Sequence, residues 1–312
     1  MSSPDIALTP LPRAFVGATR TCFAPAKINL ALHVMGRRDD GYHDLDGLIL
    51  PLAWGDTLVL SLHEADAPEV ECICENQPVL SGSRNLAARA AWSWLRARRL
   101  RARVTIRLTK RIWVAAGLGG GSSDAAATLR GLDALVPLQK GAGGASSSTL
   151  ALALGADVPF FLEPRPARAQ GIGDVLTPLR GRGPEPLGIV LVNPGRSLAT
   201  PEIFAALGLA RGERLRDACR PAPELPDVLP TSVPGLAALI HNDLEVTATR
   251  LCPEIADLRA ALVTAGALAV GLTGSGPTVF GFFGYPSSAA RAAATIPTIY
   301  GFLSVSTALA VA

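Results

Sequence analysis

The glycine-rich segment 117–124 (GLGGGSSD) constrains the fold more than any other feature of this chain of 312 residues. It follows an alternating apolar pattern, VTIRL, which predicts a strand, and it precedes AAATLRGLDAL, which is typical of a helix. Ser122 or Ser123 is a natural N-cap for that helix, with Asp124 in the first turn. Four glycines in eight residues are costly to order, so this backbone needs unusual φ and ψ angles or lies against a ligand.

The strand–loop–helix order predicts an anion site, because glycines leave backbone N–H groups accessible and a helix N-terminus favours negative charge. A Walker A loop is excluded, since Ser122 and Ser123 follow glycine without the lysine that such a loop requires. A Rossmann fingerprint is excluded because Ser122 stands where its third glycine belongs. A phosphate site and a tight linker without a ligand remain as interpretations.

Three further segments carry candidate functional residues. The run KINLALHV alternates as a strand, with Lys27 and Asn29 on the face predicted to lie away from the core. In LGADVPFF, Asp157 is the only charged residue between positions 140 and 163, and it is interpreted as a turn residue, a general base or the partner of a lysine. The segment LTGSGPTVF predicts a second glycine turn between two strands.

The length and the remaining pattern predict two domains. A helix is expected over 84–100, starting near Asn85, and GIVLVNPG and SLATPEIFAAL predict a buried strand and a helix. The composition changes near residue 175 to strands and helices punctuated by proline. We therefore expect an N-terminal extension over 1–20, a first domain over 21–175 and a second over 176–312.

Composition and charge argue against several classes of protein. A net charge of +3 indicates neither a nucleic-acid nor a membrane partner, and RARRLRAR is interpreted as a solvated helix end rather than an RNA-binding patch. The segment 260–290 has no charged residue, but GLTGSGPT in its middle predicts strands around a turn instead of a membrane span. The N-terminus lacks signal-peptide features, and five cysteines in no zinc pattern predict a reduced, cytoplasmic protein.

The segments PAKINL, DGYHDL, GLGGGSSDAA, GADVPFF and GSGPTVF, in this order, resemble the GHMP family of small-molecule kinases. The resemblance runs from about Cys22 to Phe283. It implies an α+β fold with an N-terminal domain like domain 2 of ribosomal protein S5 and a ferredoxin-like C-terminal domain. It also implies an ATP- and Mg²⁺-dependent kinase that acts on a hydroxyl of a small molecule, as a monomer or homodimer. Within this family, the resemblance of DGYHDL implies a substrate with a diphosphocytidyl head.

The same resemblance implies the catalytic groups. Asp157 would position the substrate hydroxyl and take its proton, while Lys27 would hold Asp157 ionised and steady the charge on the transferring phosphoryl group. Ser122 or Ser123 would assist with Mg²⁺. The ATP phosphates would be held by a run of backbone at the loop. That run comprises Val114, Ala115, Ala116, Gly117, Leu118, Gly119, Gly120, Gly121, Ser122, Ser123 and Asp124.

The substrate site is implied in the same way. Tyr42 would stack on the cytosine ring, His43 would read its edge, and Phe204 would close its other face. Asn29 and Thr200 would contact polar groups of the substrate. Stacking combined with hydrogen bonds to a base edge is a physically reasonable way to select one base.

Two positions depart from the family pattern. Trp113 stands where proline is usual, and Pro277 replaces a small polar residue and removes one backbone N–H from the second glycine turn. Two other functions stay open at this point: a GHMP kinase for another hydroxyl substrate, such as homoserine or mevalonate, and a non-catalytic RNA-binding protein of related fold.

Overall fold

The computed structural model describes residues 8–137, 145–181, 183–184, 187–215 and 224–296, and the backbone of 303–307. The strands are β1 (Thr9–Pro10), β2 (Thr19–Arg37), β3 (His43–Glu64), β4 (Glu69–Cys74), β5 (Leu100–Thr109), β6 (Ala167–Gly171), β7 (Val175–Pro178), β8 (Gly188–Val192), β9 (His241–Asn242), β10 (Ala269–Leu272), β11 (Val279–Phe283) and β12 (Leu303–Thr307). The helices are α1 (Leu86–Arg98), α2 (Gly120–Leu135), α3 (Ser147–Leu154), α4 (Val158–Leu162), α5 (Thr200–Ala205), α6 (Val233–Ala237), α7 (Glu245–Leu251), α8 (Glu254–Thr264) and α9 (Pro286–Thr295).

The chain divides into two compact units. Unit 1 is made of residues 1–25, 55–112 and 120–163, and unit 2 of residues 26–54, 113–119 and 164–312. The long strands β2 and β3 each contribute residues to both units. The division of the chain near residue 175 stays a prediction.

In unit 1 the central strand is β5. It pairs antiparallel with the second half of β3, from Thr57 opposite Thr109 to Glu64 opposite Ala102, and parallel with β4 and β1. Helices α1 and α2 pack against each other through small residues, and the buried Trp94 donates its indole N–H to Oδ1 of Asp133 at 2.8 Å. At Gly131 a Cβ would lie 2.4 Å from Cδ1 of Leu60, so a larger residue here would force the side chain of Leu60 to move.

Unit 2 contains a four-stranded sheet in the order β10-β11-β8-β12, in which every neighbouring pair is antiparallel. All five residues of β8 and all five of β11 are buried, which explains why GIVLV and VFGFF are continuously apolar. Apolar residues from α7, α8 and α9 pack into the core beside this sheet. Elsewhere in the unit, β6 pairs with β3 and β7, and β9 pairs with β2.

The structure confirms the main predicted elements. Asn85 caps α1, since its side chain accepts a hydrogen bond from the N–H of Ala87 at 2.9 Å. Strands and helices lie where VTIRL, GIVLVNPG, SLATPEIFAAL and LTGSGPTVF predicted them. Of the predicted extension, residues 1–7 lie outside the described residues, and Thr9–Pro10 forms a strand paired with β5.

Two local predictions are wrong. Helix α2 begins at Gly120, so Ser122 and Ser123 lie inside its first turn and neither is the N-cap. For the same reason Asp124 lies beyond the first turn, where it was predicted. The face of β2 that carries Lys27 and Asn29 was expected to lie away from the core, yet both residues are buried. Alternation along a strand shows that its two faces differ, but it does not show whether other elements cover the polar face.

The apolar segment 260–290 is built as predicted. It holds the end of α8, β10, a turn, β11 and the start of α9. Within the described part of the chain, no helix has both the length and the apolar character needed to cross a membrane. Cys22, Cys72, Cys74 and Cys252 are free thiols, and Cys219 lies outside the described residues.

Candidate active site

The first glycine of the 117–124 segment is required by another part of unit 2. Gly117 has φ +77°, and a Cβ there would lie 2.2 Å from the carbonyl oxygen of Thr273 in the β10–β11 turn. The Thr273 hydroxyl donates to the Gly117 carbonyl at 3.2 Å. The two glycine-rich segments therefore pack backbone against backbone, which excludes any side chain at this position.

The β10–β11 turn is held by neighbouring strands. The backbone N–H of Asn29 donates to the Thr273 hydroxyl at 3.0 Å. Asn242 donates from its side chain to the carbonyls of Leu272 and Gly274, both at 2.9 Å. The prediction did not include Thr273 and Asn242, although Thr273 lies in the segment LTGSGPTVF, which predicted a glycine turn between two strands.

Lys27 and Asn29 form a buried polar pair beside this turn. Lys27 is 5% exposed, and its ammonium group donates to Oδ1 of Asn29. The backbone N–H of Lys27 donates to the carbonyl of Leu118 at 3.0 Å, which ties β2 to the glycine-rich loop. The structure thus brings four predicted site residues of unit 2 together. Gly117 and Asn29 contact Thr273 in the turn, and Lys27 contacts both Leu118 and Asn29.

The third and fourth glycines differ in what surrounds them. A Cβ at Gly120 would lie 2.8 Å from Ile112 and 3.3 Å from Nζ of Lys110, so packing inside unit 1 requires glycine there. At Gly121 no atom of the described residues lies within 4 Å of the position of a Cβ, and the residue is exposed. Helix propensity disfavours glycine at an open helical position, and no contact with the described residues explains Gly121.

A buried ion cluster in unit 1 supports the start of α2. Nζ of Lys110 contacts a carboxylate oxygen of Asp56 and lies 2.7 Å from Oδ2 of Asp124. Asp56 also accepts backbone N–H groups of Arg111 and Ile112. Burial raises the pKa of Asp124 to about 8, and the adjacent Asp56 acts in the same direction, although Lys110 opposes it. Asp124, predicted to bind ATP, is thus buried within this cluster.

The two serines of α2 have different surroundings. Ser122 is half-buried at the start of the helix, whereas Ser123 is completely buried. The Ser123 hydroxyl has no hydrogen-bond partner among the described residues. Both serines offer a hydroxyl oxygen, the kind of ligand that Mg²⁺ prefers, so these residues fit the ion. That Ser122 or Ser123 binds Mg²⁺ stays a prediction.

The predicted cytosine-binding residues of unit 2 include a stacked pair of rings. The rings of His43 and Phe204 stack with centroids 4.7 Å apart. Nε2 of His43 is buried and has no hydrogen-bond partner among the described residues. Burial and then the charge of Arg37 lower the pKa of His43, so the ring is neutral at pH 7. The neighbouring Tyr42 is 61% exposed.

Thr200 belongs to the same part of unit 2. It begins α5, and its hydroxyl lies 2.9 Å from the hydroxyl of Ser275 in the β10–β11 turn. Asp157 lies in unit 1, directly before α4, where its side chain makes no capping hydrogen bond. The simplest structural reason for an aspartate at this position, an N-cap, is therefore absent.

The two departures from the family pattern leave the loops intact. The ring of Trp113 packs tilted against Trp54, with centroids 5.5 Å apart. The peptide bond between Gly276 and Pro277 is cis, and the turn is closed by hydrogen bonds on either side, from Thr273 N to Thr278 O at 3.1 Å and from Gly276 N to Thr273 O at 3.0 Å. Val114, which follows Trp113, is exposed, and Ala115 has φ +50°.

Two family models match this chain. The model of the GHMP kinase N-terminal domain matches residues 85–162, and the model of the GHMP kinase C-terminal domain matches residues 231–300. A glycine-rich strand–loop–helix in the first and a GSGPT turn in the second are thus parts of one known architecture. The chain belongs to the GHMP kinases, and the predicted α+β fold of this family is confirmed.

Individual relatives define the membership more closely. The 4-diphosphocytidyl-2-C-methyl-D-erythritol kinase of Paracoccus denitrificans (strain Pd 1222) is 43% identical over 274 residues, which cover 88% of this chain and 90% of the relative. The kinase of the same name from Ruegeria pomeroyi (strain ATCC 700808 / DSM 15171 / DSS-3) is 45% identical over 278 residues, which cover 87% of this chain and 91% of the relative. A crystal structure of 4-(cytidine 5'-diphospho)-2C-methyl-D-erythritol kinase is 36% identical with a TM-score of 0.74, and the match covers 94% of this chain and 100% of that one. Within the GHMP kinases, the chain therefore groups with the 4-diphosphocytidyl-2-C-methyl-D-erythritol kinases.

Proposed function

We propose that this protein transfers the γ-phosphoryl group of ATP to the 2-hydroxyl of 4-diphosphocytidyl-2-C-methyl-D-erythritol. The products are the 2-phosphate and ADP, in the non-mevalonate pathway to isoprenoid precursors. Membership of the GHMP kinases supports the use of ATP, and the names of the relatives support the substrate. The observation that carries the choice of substrate is Nε2 of His43, which is buried and has no partner within the described ranges, in a ring stacked on Phe204.

The chemistry of cytosine fits this pair. A neutral imidazole nitrogen either donates or accepts one hydrogen bond, according to its tautomer, and the edge of cytosine offers both an amino donor and ring acceptors. A buried polar atom without a partner costs stability, so a ligand that satisfies it binds with a corresponding advantage. Tyr42, exposed beside His43, offers the aromatic face on which the base stacks.

The glycine-rich loop supports phosphate binding in a similar way. Gly121 is open to solvent at the start of α2, where backbone N–H groups and the helix dipole favour an anion. The absence of a side chain at Gly121 lets a phosphate group lie directly against the backbone. Residues 114–124 hold the ATP phosphates in this proposal, and Asp124 acts indirectly, through its contact with Lys110.

Phosphoryl transfer mainly requires positioning and stabilisation of charge. In our proposal Asp157 orients the substrate hydroxyl and accepts its proton, and Lys27 stabilises negative charge on the transferring group. Asn29 and Thr200 contact polar groups of the substrate. Mg²⁺, held with the help of Ser122 or Ser123, neutralises negative charge on the ATP phosphates.

A comparison of substrates tests the proposal. ADP release is measured with ATP and Mg²⁺, first with the diphosphocytidyl substrate and then with the same molecule without its cytidine half. We expect turnover with the intact substrate alone, and loss of that turnover in Asp157→Asn. Equal turnover of both molecules would contradict the roles of Tyr42, His43 and Phe204.

The two alternative functions predict other results. Turnover of homoserine or mevalonate would identify a GHMP kinase for another substrate. Salt-dependent RNA binding without ATP turnover would identify a binding protein. Two arginines of the RARRLRAR run argue against this function, because Arg98 and Arg103 form ion pairs with Asp133 and Glu69.

A cytoplasmic location, with the protein as a monomer or homodimer and without nucleic-acid or membrane partners, is part of the proposal.

A further inference from the structure

Two histidines and an aspartate meet in unit 2, outside the residues of the proposed kinase reaction. His33 lies on β2, His241 lies on β9, and Asp243 directly follows β9. The parallel pairing of the two strands, with Ala31 opposite His241, brings the three side chains together. One potential ligand atom from each residue lies within 4.8 Å of the other two. Nothing in the reaction proposed above uses these residues.

The carboxylate is held in a fixed orientation. The backbone N–H of Asp243 donates to the carbonyl of Leu32 at 3.0 Å, and its Oδ2 accepts the backbone N–H of Val34 at 2.8 Å. Its other oxygen, Oδ1, lies 2.6 Å from Nε2 of His241. The backbone of β2 therefore aims Oδ1 at the imidazole, so this ligand atom needs no further ordering before it binds a cation.

The imidazole ring of His33 is fixed by burial, whereas the ring of His241 can adjust its position. They stack with centroids 4.4 Å apart and an angle of 20° between their planes. His33 is 2% exposed and held by its surroundings, whereas the side chain of His241 is 47% exposed. The nitrogens of two imidazoles on one tetrahedral ion lie about 3.3 Å apart, so a modest tilt of the exposed ring of His241 brings both within bonding distance.

We propose that His33, His241 and Asp243 bind one divalent transition-metal ion of the Zn²⁺, Co²⁺ or Ni²⁺ class. The ion replaces the proton between Nε2 of His241 and Oδ1 of Asp243 and adds a nitrogen of His33 as its third ligand. Two imidazoles and a carboxylate prefer these ions to Mg²⁺, which favours oxygen ligands alone. The exposed side of His241 provides the path of entry and leaves room for water as a fourth ligand.

Metal binding at this cluster would fasten β9 to β2. Asn242, between the two ligands on β9, donates to the carbonyls of Leu272 and Gly274 in the β10–β11 turn. An ion that binds the folded chain and not the unfolded one raises the apparent stability. The expected result is thus a higher melting temperature in the presence of Zn²⁺ or Co²⁺, which persists in excess Mg²⁺.

The experiment uses the full chain without a histidine tag, stripped with a chelator and titrated with Zn²⁺ and with Co²⁺. We expect one equivalent to bind, with a visible Co²⁺ absorption spectrum typical of nitrogen and oxygen ligands. In His241→Ala the affinity falls at least about tenfold, because a direct ligand is lost. The matched control is His63→Ala, which removes an exposed histidine from β3 and leaves binding unchanged.

Either of two results in the metal titration overturns the inference. The first is Zn²⁺ binding of equal affinity in wild type, His241→Ala and His63→Ala, and the second is no binding of one equivalent to the wild type. A His33→Gln variant supplies a second measurement if His241→Ala fails to fold. This variant should bind the metal more weakly. Its melting temperature should fall more in the metal-bound form than in the metal-free form. Equal shifts of both forms would also contradict the site.

Discussion

Lys27 and Lys110 are two lysines of similar burial, 5% and 7% exposed, with different partners. Lys110 contacts two carboxylates, Asp56 and Asp124, and lies beneath the first turn of α2. Lys27 donates to the neutral amide oxygen of Asn29 beside the β10–β11 turn. Burial alone therefore does not assign a role to a lysine. In our proposal the ammonium group of Lys110 pairs with a buried carboxylate, whereas that of Lys27 serves a bound ligand.

The largest expected effect is on catalysis at Lys27. Because the proposed role is stabilisation of charge on the transferring phosphoryl group, Lys27→Met should lower kcat about 10³-fold, or about 4 kcal/mol. Single-turnover kinetics with the diphosphocytidyl substrate provide the measurement. A fall in kcat of less than about tenfold in a folded variant would contradict the assignment.

The matched substitution Lys110→Met should act mainly on stability. It removes the cation that pairs with Asp56 and contacts Asp124 inside unit 1, and breaking a buried ion pair costs at least about 3 kcal/mol. Urea unfolding of both variants makes the comparison. If Lys27→Met and Lys110→Met lose the same unfolding free energy, the distinction between the two lysines is wrong.

The glycines of the loop separate packing from ligand binding in the same way. Gly117→Ala should lower the unfolding free energy by about 2 kcal/mol, because the residue has positive φ and its Cβ would collide with Thr273. Gly121→Ala meets no protein atom and should leave stability unchanged or raise it by up to about 1 kcal/mol. Yet Gly121→Ala should raise KM for ATP, measured by ADP release. Unchanged KM would show that no phosphate lies against Gly121.

A smaller effect is expected at the aromatic pair. Phe204→Ala should raise KM for the diphosphocytidyl substrate about tenfold and leave KM for ATP unchanged, since stacking on a base is worth about 1–3 kcal/mol. Tyr285→Ala is the control, because it removes an exposed aromatic ring elsewhere in unit 2. Equal effects of the two substitutions would remove the support for a cytosine site at Phe204.

The smallest effect concerns the pH dependence of the ion cluster. The pKa of Asp124 is raised from 3.8 to about 8. In this interval the folded chain holds a proton that the unfolded chain has released, so stability falls as pH rises towards 8. Asp124→Asn should remove this slope, which amounts to at most about 1.4 kcal/mol between pH 6 and 7. Unfolding curves at both pH values measure it, with the exposed Asp66→Asn as control; identical slopes in all three proteins would refute the assignment.

Local patterns predicted much of the fold and part of the site. The strand–loop–helix order around GLGGGSSD, the cap at Asn85 and the two strands around GSGPT depend on interactions between residues close in sequence. These interactions are visible in spacing and residue type. Helix α2 begins earlier in the chain than predicted. Glycines with positive φ lead the chain into the helix at Gly120, before the serines that were predicted to cap it.

By itself, then, the sequence determined the elements, their order and the residue types available for phosphate and base recognition. Tertiary structure alone decided that Gly117 packs on Thr273, that Lys110 lies between Asp56 and Asp124, and that His33 meets His241. These partners are separated by between 14 and 208 residues: Lys110 and Asp124 are 14 apart, and His33 and His241 differ by 241 − 33 = 208. A pairing over such distances leaves no periodic trace in the sequence, because it depends on which strands and turns become neighbours when the core is buried.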